Sequence, residues 1–441
     1  MRVVVVALGK IGLPLAAHVA RAGHTVVGCD VDARVCELVN VAQAPFPGEA
    51  GLAEALAEVV GDGRLRAQTD TAAAVAEGTD LVIAVPPLVV DADAQPDWRI
   101  LDSVVDDIAG GLREAAADTN TSAGKRDATG AHGSVVCVET TLPVGTTRTR
   151  IAPALAAASG LEAERDFFVA FSPERVYSGR IFEDLRSYPK LVGGCSETGE
   201  ARAVALYEQF IDAPPGVWPM GSAEAAELAK LAETTYRDLN IGFANELARH
   251  ADRVGVDVMR VIDASNSQPF SHIHRPGVAV GGHCIPVYPH FYLQGDPEAR
   301  LPGVAREVNR AMPAYAVELL EEALGGLDGA RVVVLGVAYR GGVKATAFSG
   351  AFPLRDALAA RGATVVAADP LYDDGELTAL GFATWDGGAV DGAIVQADHD
   401  AYRALTPADL PGARAVVDGR HVLDPAPFAA AGVALRRIGR P

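Results

Sequence analysis

Two distant stretches of this chain carry the same order of parts, and that repetition restricts the fold more than any other feature. Residues 2–8 form a continuous apolar, largely β-branched run, followed by glycines at Gly9 and Gly12, a helical stretch Leu13–Ala22, and a second apolar run Thr25–Cys29 that ends in Asp30. At Arg331 the texture returns as VVVLGVAYRGG, then a helical Gly350–Arg361, then Ala363–Ala368 closing on Asp369-Pro370. A strand that is apolar along its whole length must be covered on both faces, as strands of parallel sheets are. Leu81–Val85 and Ser134–Glu139 repeat the strand texture between alanine-rich helical segments. The pattern predicts an α/β protein with two Rossmann-like doubly wound domains joined by a central helical region. We place the segments at 1–212, 213–318 and 319–441.

A length of 441 residues is too great for one core and suits this division. The helical texture from Ser222 to about Val261 has no internal Gly or Pro until Gly242, and a central helix of this length is the kind that carries a dimer interface. Residues Asp118–Gly133 are small, polar and glycine-containing, and read as a surface insertion. The net charge of −19 argues against nucleic acid and anionic membranes as partners, though backbone amides can still hold an anionic small ligand. The Val3–Leu8 run is too short for a leader or a membrane span, and no other stretch reaches spanning length. Five cysteines, odd in number and without CxxC spacing, predict no disulfide framework and point to a reducing cytoplasm.

The first turn, Ala7-Leu8-Gly9-Lys10-Ile11-Gly12, is the dinucleotide fingerprint with alanine in place of its first glycine. Gly9 lets the backbone approach a pyrophosphate, Gly12 lets the helix pack on the sheet, and the helix N-terminus supplies amides for the phosphates. Asp30 is placed to accept hydrogen bonds from the adenosine ribose and to repel a 2′-phosphate, so NAD is favoured over NADP.

The second chemical signal is Gly281-Gly282-His283-Cys284-Ile285-Pro286. A cysteine between paired glycines and a proline has a fixed backbone and little bulk on one flank, as a nucleophile approached by a substrate carbon requires. A buried structural cysteine is the plainer reading, and the one that suits Cys29, Cys36, Cys137 and Cys195. Lys230 lies among Leu228, Ala229, Leu231 and Ala232, which predicts partial burial rather than a solvated lysine. Taken alone, Glu174 after Ser172-Pro173 is equally a helix-start carboxylate and a catalytic one. His272, His274, His283 and His290 lack metal-ligand spacing, so no metal is expected. Phe291 and Tyr292 read as core residues.

These motifs converge. The turn ALGKIGLPLA, Glu139–Thr147 (ETTLPVGTT), Ser172–Val176 (SPERV), Glu227–Leu231 (ELAKL), Arg237–Ile241 (RDLNI), Asn245–Leu247 and GGHCIP occur in this order over almost the whole length. In this the chain resembles the UDP-glucose/GDP-mannose dehydrogenase family, and within it the enzymes acting on UDP-N-acetylhexosamines most of all. The resemblance implies a four-electron oxidation of a sugar C6 alcohol to a carboxylate with two NAD. It implies Cys284 as the sulfur that carries a thiohemiacetal and then a thioester, Lys230 and Thr234 at the oxyanion, and Glu174 as base for the hydrolytic water. Thr141 falls on the nicotinamide side or beside a water. Gly9, Lys10, Ile11, Gly12, Asp30, Arg34, Pro86 and Thr141 are the implied cofactor residues. Glu174, Arg175, Lys230, Gly281 and Arg340 are those for the nucleotide sugar, with the second Rossmann-like unit binding UDP. A cytoplasmic homodimer is implied as well.

Four positions depart from the family pattern. Thr234 replaces an asparagine, Tyr288 an aspartate and Ala347 an arginine, and the Val-Pro-Thr-Pro turn reads Val85-Pro86-Pro87-Leu88. Thr234 keeps a hydroxyl donor. A phenol ionises at about 10, so Tyr288 does not replace a carboxylate base near neutrality. Ala347 removes a bidentate anion clamp. Set against the resemblance, these departures leave a two-electron oxidation, a redox isomerisation and a catalytically silent nucleotide-sugar-binding protein as alternatives.

Overall fold

The computed structural model describes residues 1–91, 95–117, 133–177, 179–212, 214 and 216–440. Of the segment Asp118–Gly133, read above as an insertion, all but Gly133 lies outside the described residues. The chain divides into two compact units, Met1–Ala232 and Glu233–Pro441.

The first unit contains β1 (Arg2–Val6), β2 (Thr25–Cys29), β3 (Leu65–Gln68), β4 (Leu81–Ala84), the small antiparallel pair β5 (Val89–Val90) and β6 (Pro96–Asp97), β7 (Val135–Val138), β8 (Phe168–Phe171), β9 (Lys190–Gly194) and β10 (Val217–Pro219). Eight of these form one sheet in the order β10-β9-β8-β7-β4-β1-β2-β3, parallel except for β8 against β9. Val3 and Val5 enter one apolar cluster, yet Val4 and Val6 are buried too, so the strand is covered on both faces as its composition requires. Helices α1 (Gly12–Arg21), α2 (Ala33–Asn40), α3 (Leu52–Gly61), α4 (Thr71–Ala76), α5 (Arg99–Ala117), α6 (Ala152–Ser159), α7 (Ile181–Asp184) and α8 (Glu197–Tyr207) fill the connections. Chain order reverses at β1, which lies between β4 and β2, and ligands of such sheets bind beyond the strand ends at that reversal.

Helix α9 (Ala223–Val254) carries the chain from the first unit into the second. It stops seven residues short of the expected Val261 because Gly255 takes a left-handed φ of 72° and Asp257 then caps α10 (Val258–Asn266), accepting from the Met259 amide at 2.9 Å. Gly242 has a local reason: a Cβ there would lie 3.3 Å from Ala305 on α12, so the two helices approach closely. The second unit continues with α11 (Tyr288–Gly295), α12 (Leu301–Leu324), β11 (Arg331–Leu335), α13 (Ala351–Ala359), β12 (Thr364–Ala368), α14 (Asp374–Ala379), β13 (Ala383–Thr384), β14 (Gly392–Val395), β15 (Ala415–Asp418), α15 (Pro425–Ala430) and β16 (Ala434–Arg437). Its six-stranded sheet, β13-β12-β11-β14-β15-β16, is parallel throughout. Val332 and Val334 of β11 pack in one cluster, Val333 and Leu335 in another, so this sheet too is buried on both faces. Among the described residues no helix is long and apolar enough to cross a membrane.

Candidate active site

At the end of β1 the chain makes the turn read as a dinucleotide fingerprint. Ala7, at the position usually held by glycine, adopts a left-handed φ of 73°. An L-residue there costs about 1–2 kcal/mol, so the turn is held against its local preference. Gly12 is required by contact, since a Cβ would fall 2.0 Å from the Ala7 carbonyl oxygen. Gly9 is exposed, with nothing within 4 Å of where a Cβ would be, which leaves its backbone open to a ligand. Helix α1 begins beside it without a side-chain cap and without an acidic residue in its first turn. Amide donors and a positive dipole end on an open glycine turn suit a pyrophosphate.

Asp30, at the end of β2, accepts from the Leu8 amide at 2.8 Å and the Asp32 amide at 3.0 Å, which fixes its carboxylate at the rim of the turn. Asp369 repeats the device in the second unit, accepting from Val337 and Ala338 at 2.8 and 3.0 Å. Lys10 and Arg34 are exposed and Ile11 is half-buried. Pro86 follows β4, the strand beside β1, and its carbonyl accepts the Thr140 hydroxyl. Thr141 is buried next to it. The residues present fit NAD.

Further along the same sheet lies a cluster that sequence reading missed in part. Glu174, in the loop after β8, accepts from the Arg175 amide at 2.6 Å and from Lys190 Nζ at 2.8 Å. Lys190 opens β9, and its Nζ also donates to Glu139 Oε2 at 2.8 Å. The other Glu139 oxygen takes the Tyr207 hydroxyl. The Lys190 and Glu139 side chains are 5% and 0% exposed and Glu174 is 9% exposed, so Glu174 is the member that meets the surface. Burial works to raise the Glu174 carboxyl, but Lys190 and, more weakly, the Arg175 amide and Lys230 outweigh it and hold the group below its ordinary range. Burial pushes Glu139 up despite the same lysine. Glu139 stood inside a quoted motif. Lys190 had no sequence signal, being a strand residue among apolar neighbours.

Lys230 and Thr234 are both buried and lie one turn apart on α9. One turn before Lys230, Glu227 accepts from the Gly145 amide and from the Thr147 amide and hydroxyl, at 2.5, 2.9 and 2.6 Å. Burial nonetheless pushes its carboxyl up to about 7. Two of the quoted motifs, ETTLPVGTT and ELAKL, are thereby joined.

In the second unit Cys284 is exposed, whereas the other four cysteines are buried. Its loop is held from two sides. Asn240 accepts from the His274 amide and donates to the His272 carbonyl, at 2.8 and 2.7 Å, and Asn245 accepts from Gly277 at 2.9 Å. Asn309 and Asp238 extend this buried network, with Arg306 paired to Asp238 at 2.9 Å. On the other side Gly282, with φ 94°, donates to the Ala347 carbonyl at 2.8 Å. A Cβ on Gly281 would lie 2.6 Å from Tyr339 Cβ, so this glycine is needed for packing whatever else it does. Cys284 itself precedes α11, its carbonyl accepting from Tyr288 at 2.9 Å. Arg340 Nε reaches the Tyr339 hydroxyl at 3.3 Å. Arg420, which sequence reading passed over, donates to the Gln396 carbonyl at 2.6 Å beyond the ends of β14 and β15; its only signal was the Asp-Gly-Arg after a strand. No group of His, Cys, Asp and Glu among the described residues could hold a metal ion.

A dinucleotide turn on one doubly wound sheet and a second such sheet are the parts of an NAD-dependent dehydrogenase. The chain belongs to the UDP-glucose/GDP-mannose dehydrogenase family and is an NAD-dependent oxidoreductase of nucleotide sugars: residues 1–211 match the family's NAD binding domain, 224–311 its central domain and 333–425 its UDP binding domain. It is 32% identical to UDP-N-acetyl-D-mannosamine dehydrogenase of Pyrococcus horikoshii, over all of this chain and 99% of that one. It is 33% identical to NDP-N-acetyl-D-galactosaminuronic acid dehydrogenase of Ralstonia solanacearum, over 77% of this chain and 75% of that one. Among solved structures, the Pyrococcus horikoshii UDP-D-ManNAc dehydrogenase superposes with a TM-score of 0.86 at 31% identity, covering 100% of this chain and 99% of that one. A UDP-glucose dehydrogenase from Pyrobaculum islandicum gives 0.84 at 29%, covering 100% and 98%.

Proposed function

We propose that this enzyme oxidises the C6 alcohol of a UDP-linked N-acetylhexosamine to the uronic acid, with Cys284 as the covalent carrier. The observation that carries the reading is the exposure of this one cysteine in a loop fixed by Asn240, Asn245, Ala347 and Tyr339. The relatives acting on N-acetylated sugars support the choice of substrate. Bound NAD supplies the hydride acceptor for each of the two oxidations. The Cys284 thiolate adds to the C6 aldehyde, the thiohemiacetal is oxidised to a thioester, and water releases the acid and the thiolate. Lys230 and Thr234 stabilise the oxyanion, with a threonine hydroxyl where the family uses an amide. Glu174, ionised beside Lys190, takes a proton from the attacking water. Thr141 serves the nicotinamide side. Arg175, Gly281 and Arg340 serve the nucleotide sugar, and the functional segments are 1–212, 213–318 and 319–441. The test is the NADH yield per sugar with mass analysis of the product.

The enzyme works as a cytoplasmic homodimer in this reading. Tyr236, Phe243 and Val254 are 55%, 49% and 54% exposed on α9, and with the half-buried Leu247 they stand at spacings of seven, four and seven residues, which is one helix face. A second copy of this chain is the occupant we assign to it. Sedimentation is expected to give twice the 45.7 kDa chain mass, and Phe243→Glu to shift the protein toward monomer. A wild-type monomer at micromolar concentration would remove the assignment.

A further inference from the structure

Glu174 and three groups buried behind it form a chain whose charge does not balance. Tyr207 donates to Glu139, Lys190 donates to Glu139 and Glu174, and the second Glu174 oxygen is held by the Arg175 amide. One ammonium therefore serves two carboxylates. A single carboxylate would suffice to pair a buried lysine, and the second adds desolvation cost without being needed for neutrality. We infer that Glu139 and Lys190 are positioning residues that let Glu174 accept and release a proton while remaining aimed, an inference that rests on the base role proposed above for Glu174.

The reason is what happens to Lys190 during the step. The water oxygen bonds to the thioester carbon, Glu174 takes one of its protons, the carbon–sulfur bond breaks, and Cys284 leaves as thiolate. The product acid retains the second water proton until it ionises in solvent, and Glu174 returns its own proton to solvent. With Glu174 neutral, a lysine paired to it alone would become a buried, uncompensated cation, which is strongly unfavourable. Glu139 keeps that cation paired, so protonating Glu174 takes the cluster from one excess negative charge to neutral. Before the step, Lys190 fixes the Glu174 carboxylate in its ionised form. The groups that bear on the cluster are Lys230, Arg175 and His18 around Glu174, and Cys137 and Tyr207 around Glu139. Burial pushes the Glu139 carboxyl up, and the Lys190 ammonium beside it opposes that shift and favours the ionised form.

The test follows decay of the Cys284 thioester by rapid quench and mass spectrometry between pH 6 and 9, for wild type, Glu139→Gln, Glu139→Asp and Glu174→Gln. Glu139→Gln is expected to slow decay about tenfold or more, with its pH profile displaced to lower pH, while the first NADH and the NAD affinity are unchanged. Glu139→Asp, which keeps the charge, restores most of the rate. Should Glu139→Gln fail to fold, Tyr207→Phe removes a donor to the Glu139 carboxylate and is expected to move the profile as well. Wild-type decay and pH profile in Glu139→Gln, with Glu174→Gln stalled, would overturn the inference and spare the base role. Wild-type decay in Glu174→Gln would overturn both.

Discussion

Cys284→Ala is expected to lower uronic-acid formation by about four orders of magnitude while NAD binding stays at the wild-type level. The size of the effect follows from what sulfur does. Without a thiolate, the aldehyde has no covalent tether, and the second oxidation depends on hydration of a carbon that can leave the site. The loop itself should tolerate the change, because the Cys284 side chain is exposed and the loop's hydrogen bonds run through Asn240, Asn245, Gly282 and Ala347. Quantifying acid and aldehyde by mass spectrometry checks it. Acid at more than about a tenth of the wild-type rate would show that another group carries the oxidation.

The second large effect is at the cofactor turn. Gly12→Ala places a Cβ 2.0 Å from the Ala7 carbonyl oxygen and 3.2 Å from its carbon. Both are backbone atoms of a residue already held at φ 73°, so neither can move cheaply. A loss of about 2–3 kcal/mol in stability is expected, together with at least a tenfold loss of NAD affinity. Gly9→Ala gives the contrast, since nothing lies within 4 Å of its Cβ. There the melting temperature should hold and NAD affinity alone should fall, because the methyl group enters the open space beside the turn that the fingerprint reserves for a pyrophosphate. Equal destabilisation at both glycines would mean that the turn is not tuned for a ligand. Thermal unfolding and fluorescence titration with NAD separate the cases.

Much of this architecture was written in local pattern. Val3–Val6 and Val332–Leu335 are apolar at every position, and only a sheet buried on both faces accommodates that. The two strand–turn–helix–strand–Asp units were therefore visible, whereas the folding back of Asp30 and Asp369 onto the amides of the turns before them was not. The strain at Ala7 was not, because a missing glycine signals only a departure and not which conformation survives. The end of α9 depended on one glycine turning left-handed at 255, which competes with a helical texture continuing to Val261.

Within the candidate site, what one segment determines was legible, as in the glycine-flanked Cys284, which is exposed while the other four cysteines are buried. The site was not legible where partners are distant in sequence. Lys190 lies 51 residues from Glu139 and 16 from Glu174, and its neighbours in β9 are apolar or glycine. Only the pairing of β9 with β8 delivers its ammonium to the Glu174 loop. Likewise, Asn240 and Asn245 belonged to motifs that could be quoted without saying what they hold, and the structure shows them fastening the segment before Cys284.

The most direct test of the central claim is NADH released per molecule of UDP-N-acetylmannosamine or another UDP-N-acetylhexosamine, read beside the product mass. Two NADH per sugar and a product heavier by one oxygen and lighter by two hydrogens are the predicted result, with Thr234 and Tyr288 then being variations that the chemistry accommodates. One NADH with an aldehyde, or none with an isomerised sugar, from protein shown to bind NAD, would contradict the account and remove the hydrolytic role assigned to Glu174.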